Sequence, residues 1–421
     1  MATTATSVSD ICAAAKGASR TLATLGSEVK DAALEAIAVA IEDRAEEILE
    51  ANAQDVEAGK ASGLAGALVD RLTLTDRRLA DMASGLRTIA ALPDPVGEVI
   101  EGFRLPNGLD VRKVRVPLGV VAVIYESRPN VTIDAAALCL KSGNAVVLRG
   151  SSAAARSNAV LAQVAVTAAA GAGLPDGALA LLPGGSREEI AELATQNEFV
   201  DLIIPRGGEG LKASLKGVAS VPVIYAASGN CHVFVDRAAD LDAAEAIVLN
   251  AKLQRPGVCN AAETLLVHAE AAEAFLPRVL SALGDAGVRL HGDERSRAAA
   301  PGIAMDAATD EDWDTEYLAL ELAVGVVDSV HEAIAHINAH GSGHSEAIVT
   351  SDASSARAFQ LGVDAACVYV NSSTRFTDGG EFGMGAEIGN STQKLHARGP
   401  IGIRELCTFK YLVEGDGQIR M

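Results

Sequence analysis

The stretch VVAVIYESRPNVTIDAAALCLKSGNAVVLRG, Val120 to Gly150, decides the fold. VVAVIY and AVVLR are short, wholly apolar runs, and the segment AAALCLK between them reads as a helix. Strands that lack polar alternation are buried on both faces, which points to a parallel sheet with helices above and below. The same alternation continues through a helix from about Ala153 to Ala170, a strand in LALLPGG, another helix and a strand in LIIPRGG. A second series starts at HVFVD and runs through TLLVH, LAVGVVD, EAIVTSD and CVYVN, with helices between. Two such series imply an α/β protein with two doubly wound domains.

Outside these series the periodicity changes. Residues 1 to about 92 carry apolar side chains at helical spacing, as in VKDAALEAIAVAIEDRAEEILEAN. EVIEGFRLPNGLDVRKVRVPLG reads as two strands joined through Asn107-Gly108, a hairpin signal. Such a ribbon covers a neighbouring domain or reaches another subunit. Domain boundaries follow at residues 1–229, including the 100–118 hairpin, at 230–395, and at a 396–421 tail that returns to the ribbon. CTFKYLVEG in that tail reads as a last strand.

Composition narrows the class. The chain has 421 residues, 49% of them hydrophobic but only 3% aromatic, so Ala, Val, Leu and Ile fill its cores. No apolar run approaches the roughly 18 residues that cross a bilayer, and MATTATSVSD lacks the basic start and apolar centre of a signal peptide. A cytoplasmic location is expected. Six scattered cysteines with no C-x-x-C argue for reduced thiols rather than a disulfide framework or a zinc ribbon. The formal net charge of −20 opposes binding to nucleic acid or to an anionic membrane.

Several long segments match a known family in order. VPLGVVAVIYESRPNVTIDAAALCLKSGNAVVLRGSSAAARSN, GLPDGALALLPGG, LQRPGVCNAAETLLVH, INAHGSGHSEAIVT and EFGMGAEIGNSTQKLHARGP resemble the gamma-glutamyl phosphate reductase family, a divergent branch of the aldehyde dehydrogenase superfamily. The resemblance implies an aldehyde dehydrogenase-like fold with a coenzyme domain, a catalytic domain and an oligomerisation β-ribbon. It implies NADPH-dependent reduction of L-glutamyl 5-phosphate to glutamate 5-semialdehyde with release of phosphate, the second step of proline biosynthesis. A homo-oligomer is expected, with a glutamate 5-kinase that supplies the labile acyl phosphate as a further partner.

Cys259, on the turn after Pro256-Gly257 and before a strand, resembles the superfamily nucleophile. A thiol there lies where backbone N–H groups can face a thiolate or an oxyanion. Cys139, Cys231, Cys367 and Cys407 sit in apolar helical or strand-like runs and read as core, and Cys12 lies in a terminal helix. Asn130 resembles the asparagine whose amide joins the cysteine N–H in stabilising the oxyanion; a turn residue beside Pro129 is the plain alternative.

Arg149, Ser151 and Ser152 follow a strand and open a helix, an arrangement suited to a phosphate, and the resemblance assigns them to the 2′-phosphate of NADP. Arg206, Gly207 and Gly208 form a second cofactor candidate after another strand. Glu316 resembles the glutamate that bonds the nicotinamide ribose, with Glu321 as the nearby alternative. The substrate carries a carboxylate and a phosphate, for which Arg128, Arg255, Ser373 and Arg375 are the candidates. His336, His340 and His344 step by four, but Gly341 and Gly343 interrupt the helix and no Asp or Cys completes a set, so no metal site is expected.

One departure bears on the chemistry. Where hydrolytic relatives carry a water-activating glutamate, this chain reads AASGNCHVFVD. A thioester without that base survives until phosphate attacks it, which favours phosphorylating chemistry over the alternatives: hydrolytic or acyl-CoA-forming oxidation, or an inactive scaffold of the same fold.

Overall fold

The computed structural model describes residues 7–225 and 228–421. The amino-terminal MATTAT and the Ala226-Ala227 pair of the AASGN segment lie outside the described residues. The chain divides into two compact units, one formed by 1–225, 383–389 and 401–421, the other by 226–382 and 390–400.

The first unit is built on a parallel sheet of β3 (Val120–Tyr125), β4 (Ala145–Arg149), β5 (Leu179–Leu181) and β6 (Leu202–Arg206), in the order β5-β4-β3-β6. Every residue of β3 and β4 is buried, as an uninterrupted apolar run requires when helices cover both faces. The helix Asn130–Lys141 links β3 to β4, and Ala155–Gly171 follows β4. The helices predicted for the first 92 residues are present at Val8–Leu22, Ser27–Asp43, Ala45–Ala61, Gly66–Leu72 and Asp76–Ala90. Charges they bury have partners: Lys141 meets Asp31 and the Ala90 carbonyl, Lys30 meets Asp94, and Asp55 accepts the Ser157 N–H at 2.8 Å and its hydroxyl at 2.7 Å.

The hairpin of β1 (Val99–Arg104) and β2 (Asp110–Pro117) is antiparallel, and β16 (Cys407–Glu414) pairs with the other edge of β2. Its loop is longer than a two-residue turn. Leu105 donates to the Leu109 carbonyl, and Gly108 takes φ +89, a conformation that favours glycine. Val99, Phe103, Phe409, Tyr411 and Val413 are exposed on this sheet.

The second unit carries a parallel sheet in the order β10-β9-β11-β8-β7-β12-β13. Its strands are β7 (Cys231–Val235), β8 (Ala262–His268), β9 (Arg289–Gly292), β10 (Asp306–Ala307), β11 (Glu321–Val327), β12 (Ser345–Val349) and β13 (Cys367–Val370), beside a small ladder of β14 (Asn390–Ser391) and β15 (Gly399–Pro400). Period-two alternation sorts the strand side chains onto two cores. Val233, Val235, Leu265 and Val267 pack with Val248, Phe275 and Val279 of the helices Leu241–Leu253 and Ala269–Asp285. Phe234, Leu266 and Ile348 pack with Ile337 and Phe359 of Val330–His340 and Ala353–Gly362. Each such side chain removed from water stabilises the unit by about 1.5–3 kcal/mol. Among the described residues no helix is long and apolar enough to cross a membrane.

Candidate active site

The predicted site residues fall into two sets, one in each unit. In the first unit the chain steps from β3 through β4 to β5 on one side and then places β6 on the other side of β3. Loops leaving the carboxyl ends of β3 and β6 therefore part in opposite directions, the switch point at which open α/β sheets bind ligands. Arg128 and Asn130 follow β3, and Arg206, Gly207 and Gly208 end or follow β6. These two loops are tied together: the Gly208 N–H donates to Glu126 Oε2 at 3.1 Å, and a Cβ on Gly207 would stand 2.6 Å from the Glu126 carboxyl carbon.

Asn130 is the first residue of the helix Asn130–Lys141, and one N–H of its amide donates to Asp134 Oδ2 at 2.9 Å. Its second amide hydrogen is thereby given a direction, which is what an oxyanion donor needs. Burial pushes the Asp134 carboxyl up to about 6, against the opposing pull of the Asn130 amide and the Arg206 charge.

After β4 the turn is closely packed. A Cβ on Gly150 would lie 2.1 Å from Asn158 Nδ2, and one on Gly184 would lie 2.7 Å from the Gly150 carbonyl. Arg149 is buried and engaged, donating from Nε to Glu189 Oε1 at 3.1 Å and from Nη2 to the Ser186 carbonyl at 2.9 Å. The buried Ser151 hydroxyl has no protein partner. That orphaned donor, at the start of the turn into Ala155–Gly171, fits a ligand oxygen. Arg149 braces this turn against the 184–189 segment.

In the second unit Cys259 lies on the turn between Leu241–Leu253 and β8, half-buried, at the amino edge of the sheet. Gly229, just before β7, presses on it so closely that a Cβ there would lie 1.5 Å from the Cys259 carbonyl oxygen. The Gly229 N–H donates to Glu316 Oε1 at 2.6 Å, and the Asn230 amide reaches the Trp313 and His340 carbonyls at 2.6 and 2.9 Å. From the next strand position Cys231, fully buried, donates its S–H to the Cys259 carbonyl at 3.2 Å.

The other side of the turn is anchored by the segment after β13, which reverses at Asn371 (φ +56). Thr374 Oγ1 donates to the Asn260 carbonyl at 2.7 Å, and the Asn260 amide donates to the Thr377 carbonyl at 2.9 Å. Ser373 caps the short turn Thr374–Phe376 by accepting from the Arg375 N–H at 3.3 Å, and is buried there. Arg375 Nε donates to Gln254 Oε1 at 2.7 Å. Burial, and then the neighbouring Arg255 charge, pull the Arg375 guanidinium below its ordinary range, while Asp378 and Cys259 draw it upward. The Arg375 guanidinium thus lies within electrostatic reach of both Arg255 and Cys259.

His344 is fully buried at the start of β12, bonded to Ser345, and burial holds its imidazole at about 4. His336 packs edge-on against Trp313, and burial holds it at about 3, so both are neutral at physiological pH. Among the described residues no group of three His, Cys, Asp or Glu is placed to hold a metal.

Comparison with known proteins identifies the frame. The model of the aldehyde dehydrogenase family matches residues 1–312. The chain belongs to the aldehyde dehydrogenase family. It is 56% identical over 406 residues to a gamma-glutamyl phosphate reductase of Thermobifida fusca, covering 96% of this chain and 97% of that one. A Moorella thermoacetica protein of the same name is 57% identical over the same shares. The crystal structure of gamma-glutamyl phosphate reductase from Thermotoga maritima superposes with a TM-score of 0.95 at 45% identity, over 98% of this chain and 99% of that one. The expected aldehyde dehydrogenase-like fold is therefore present, and the family and its reductase relatives imply a nicotinamide cofactor.

Several residues that hold the candidate residues in place within each unit escaped the sequence reading: Asp134 in the first, and Gly229, Asn230, Asn260 and Thr377 in the second. Asp134 alone had a local signal, standing four residues after Asn130 on one helix face. Its raised pKa gives a pH test. The folded state holds the Asp134 proton more tightly than the unfolded chain, so this contribution to stability is full below its ordinary value near 3.8 and is lost as pH rises through about 6. Asp134→Asn is expected to abolish that loss, worth on the order of 2–3 kcal/mol. Urea denaturation of wild type and variant at pH 4.5 and pH 7 checks it; equal pH dependence in the two would refute the shift.

Proposed function

We propose that the chain reduces L-glutamyl 5-phosphate to L-glutamate 5-semialdehyde with release of phosphate, using NADPH, in the cytoplasm. The observation that carries this reading is Arg375, within electrostatic reach of both Cys259 and Arg255, in a chain so similar to named gamma-glutamyl phosphate reductases. A guanidinium near the proposed nucleophile, with a second beside it, suits a substrate with two anionic groups, a carboxylate and an acyl phosphate.

In the proposed cycle the Cys259 thiolate attacks the γ-carbonyl and the phosphate leaves, forming a thioester. Asn130 is the proposed amide donor to the oxyanion, and Arg128, Arg255, Ser373 and Arg375 hold the anionic ends. NADPH, when bound, supplies hydride; Arg149, Ser151, Ser152, Arg206, Gly207, Gly208 and Glu316 are the residues proposed to hold it. Cys259 then departs as thiolate when the aldehyde is released. The AASGN segment provides no carboxylate to activate water, so the thioester persists long enough to be reduced.

We further read 1–229 as the coenzyme domain and 230–395 as the catalytic domain. The apolar ribbon of β1, β2 and β16 would be covered by a second copy, and a glutamate 5-kinase would supply the acyl phosphate. Two measurements test the reaction. Oxidation of the semialdehyde should require phosphate or arsenate; a full rate in water or with coenzyme A alone would overturn the assignment. Arg375→Ala should raise the KM for the semialdehyde about 10–100-fold, since a charge-assisted contact is worth roughly 1.5–3 kcal/mol, and leave the KM for NADP within about twofold.

A further inference from the structure

We propose that Cys231 and Cys259 form a reversible disulfide when a hydroperoxide oxidises Cys259, so that the strand thiol protects the nucleophile from over-oxidation. Cys231 was expected to be core, and it is buried in β7. Its sulfur is nevertheless aimed at the turn. With Sγ 3.2 Å from the Cys259 carbonyl oxygen, it lies no more than about 5.6 Å from the Cys259 Cα by standard bond geometry. A bonded partner sulfur lies within about 4.5 Å of the Cα, so closure asks for a movement of roughly 1 Å at most, and the close approach of Gly229 to the Cys259 backbone already brings the two chain segments together.

The two thiols are unequal in the way such a pair requires. Cys259 is half-buried, so a small oxidant can reach it, while Cys231 is sealed from solvent. Burial raises the Cys231 thiol well above its ordinary value, which keeps it protonated and unreactive until the oxidised partner is beside it. His344 Nδ1 stands 4.0 Å from Cys231 Sγ and is neutral, and a Ser345 backbone N–H faces the same sulfur. The N–H can stabilise the developing thiolate, while the imidazole adds no opposing charge and the thiol proton passes to the departing sulfenyl oxygen.

The steps balance. The Cys259 thiolate attacks one peroxide oxygen; the O–O bond breaks, an S–O bond forms, and the other oxygen leaves as hydroxide or alkoxide. Sulfur is oxidised by two electrons to the sulfenic acid. Cys231 then attacks that sulfur, an S–S bond forms, and the sulfenyl oxygen leaves as water with the Cys231 proton. Two thiols and one hydroperoxide give one disulfide, water and an alcohol or second water, and a dithiol reverses the change.

The test uses the full chain, a few equivalents of hydrogen peroxide, and peptide mass spectrometry without reduction. A cross-link between the Cys231 and Cys259 peptides is expected in the wild type, with most of the semialdehyde-oxidising activity returning after dithiothreitol. Cys231→Ser, whose hydroxyl can still donate to the Cys259 carbonyl, should recover at least about tenfold less of its own starting activity, with sulfinate at Cys259. Cys139→Ala, which removes a different buried thiol, should behave as wild type. Absence of the cross-link, a cross-link to another cysteine, or full recovery by Cys231→Ser overturns the proposal. The cross-link is read by mass, so it stands or falls independently of the reaction proposed above.

Discussion

Cys259→Ala is expected to lower kcat by about four to six orders of magnitude without unfolding the chain. In the proposed cycle a Cys259 nucleophile splits acyl transfer into two easier steps, and among the described residues nothing nearby replaces it. Cys231 is the nearest thiol, but it is buried, protonated and turned to the Cys259 carbonyl. The Glu316 carboxylate accepts from the Gly229 N–H. Cys259→Ser should fare little better, because a hydroxyl without a general base is a far weaker nucleophile than a thiol. The alanine change removes one half-buried sulfur, and the turn keeps its ties through Asn260, Thr374 and Thr377, so the melting temperature should move by no more than a few degrees. Single-turnover assays with the semialdehyde, NADP and phosphate measure the loss. An alanine variant within tenfold of wild type would remove the nucleophile assignment.

The layers of this fold were readable because apolar strands buried on both faces leave an unbroken signal. VVAVIY, AVVLR and LIIPR became β3, β4 and β6, and HVFV and TLLVH became parts of β7 and β8. The switch point was not readable, because strand order depends on which neighbours pair, and β6 could have joined either edge. The site was legible to the same uneven degree. Cys259 and Asn130 stood in long matching segments, and Asn130 has its partner Asp134 one helical turn on, yet what holds the Cys259 turn is carried by residues far off in sequence. Thr377 lies 117 residues from its bond partner Asn260, and Glu316 lies 87 from Gly229. Such contacts leave no periodicity to read. Arg149 shows the converse: its place after a strand suggested a phosphate ligand, while its fold partners, Glu189 and Ser186, come from a separate turn.

Gly229→Ala should be nearly as damaging as loss of the thiol, by moving the proposed nucleophile rather than removing it. A methyl group at this position would lie 1.5 Å from the Cys259 carbonyl oxygen, 2.3 Å from its carbonyl carbon and 2.6 Å from its Cα. All three are backbone atoms, so no side-chain rotation relieves the overlap and one of the two segments must shift. Neither is loose. The Gly229 segment is held by Glu316, by the Ser342 hydroxyl at 3.0 Å from the Asn230 N–H, and by the Asn230 amide bonds to Trp313 and His340. The Cys259 turn is tied to Thr374 and Thr377 through the next residue, Asn260, whereas the Cys259 carbonyl itself accepts from the poor S–H donor of Cys231, so Cys259 is expected to yield. Restoring ordinary van der Waals contact needs a displacement well over 1 Å, and misplacement on that scale costs about 10²-fold or more in rate. Strain of this kind also destabilises by roughly 1–3 kcal/mol. The variant should therefore lose at least about 10²-fold in kcat with a lowered melting temperature, and its rate of Cys259 alkylation by iodoacetamide should change while the KM for NADP changes much less. Wild-type kcat in Gly229→Ala would mean that the close approach of these two segments has no part in placing the thiol.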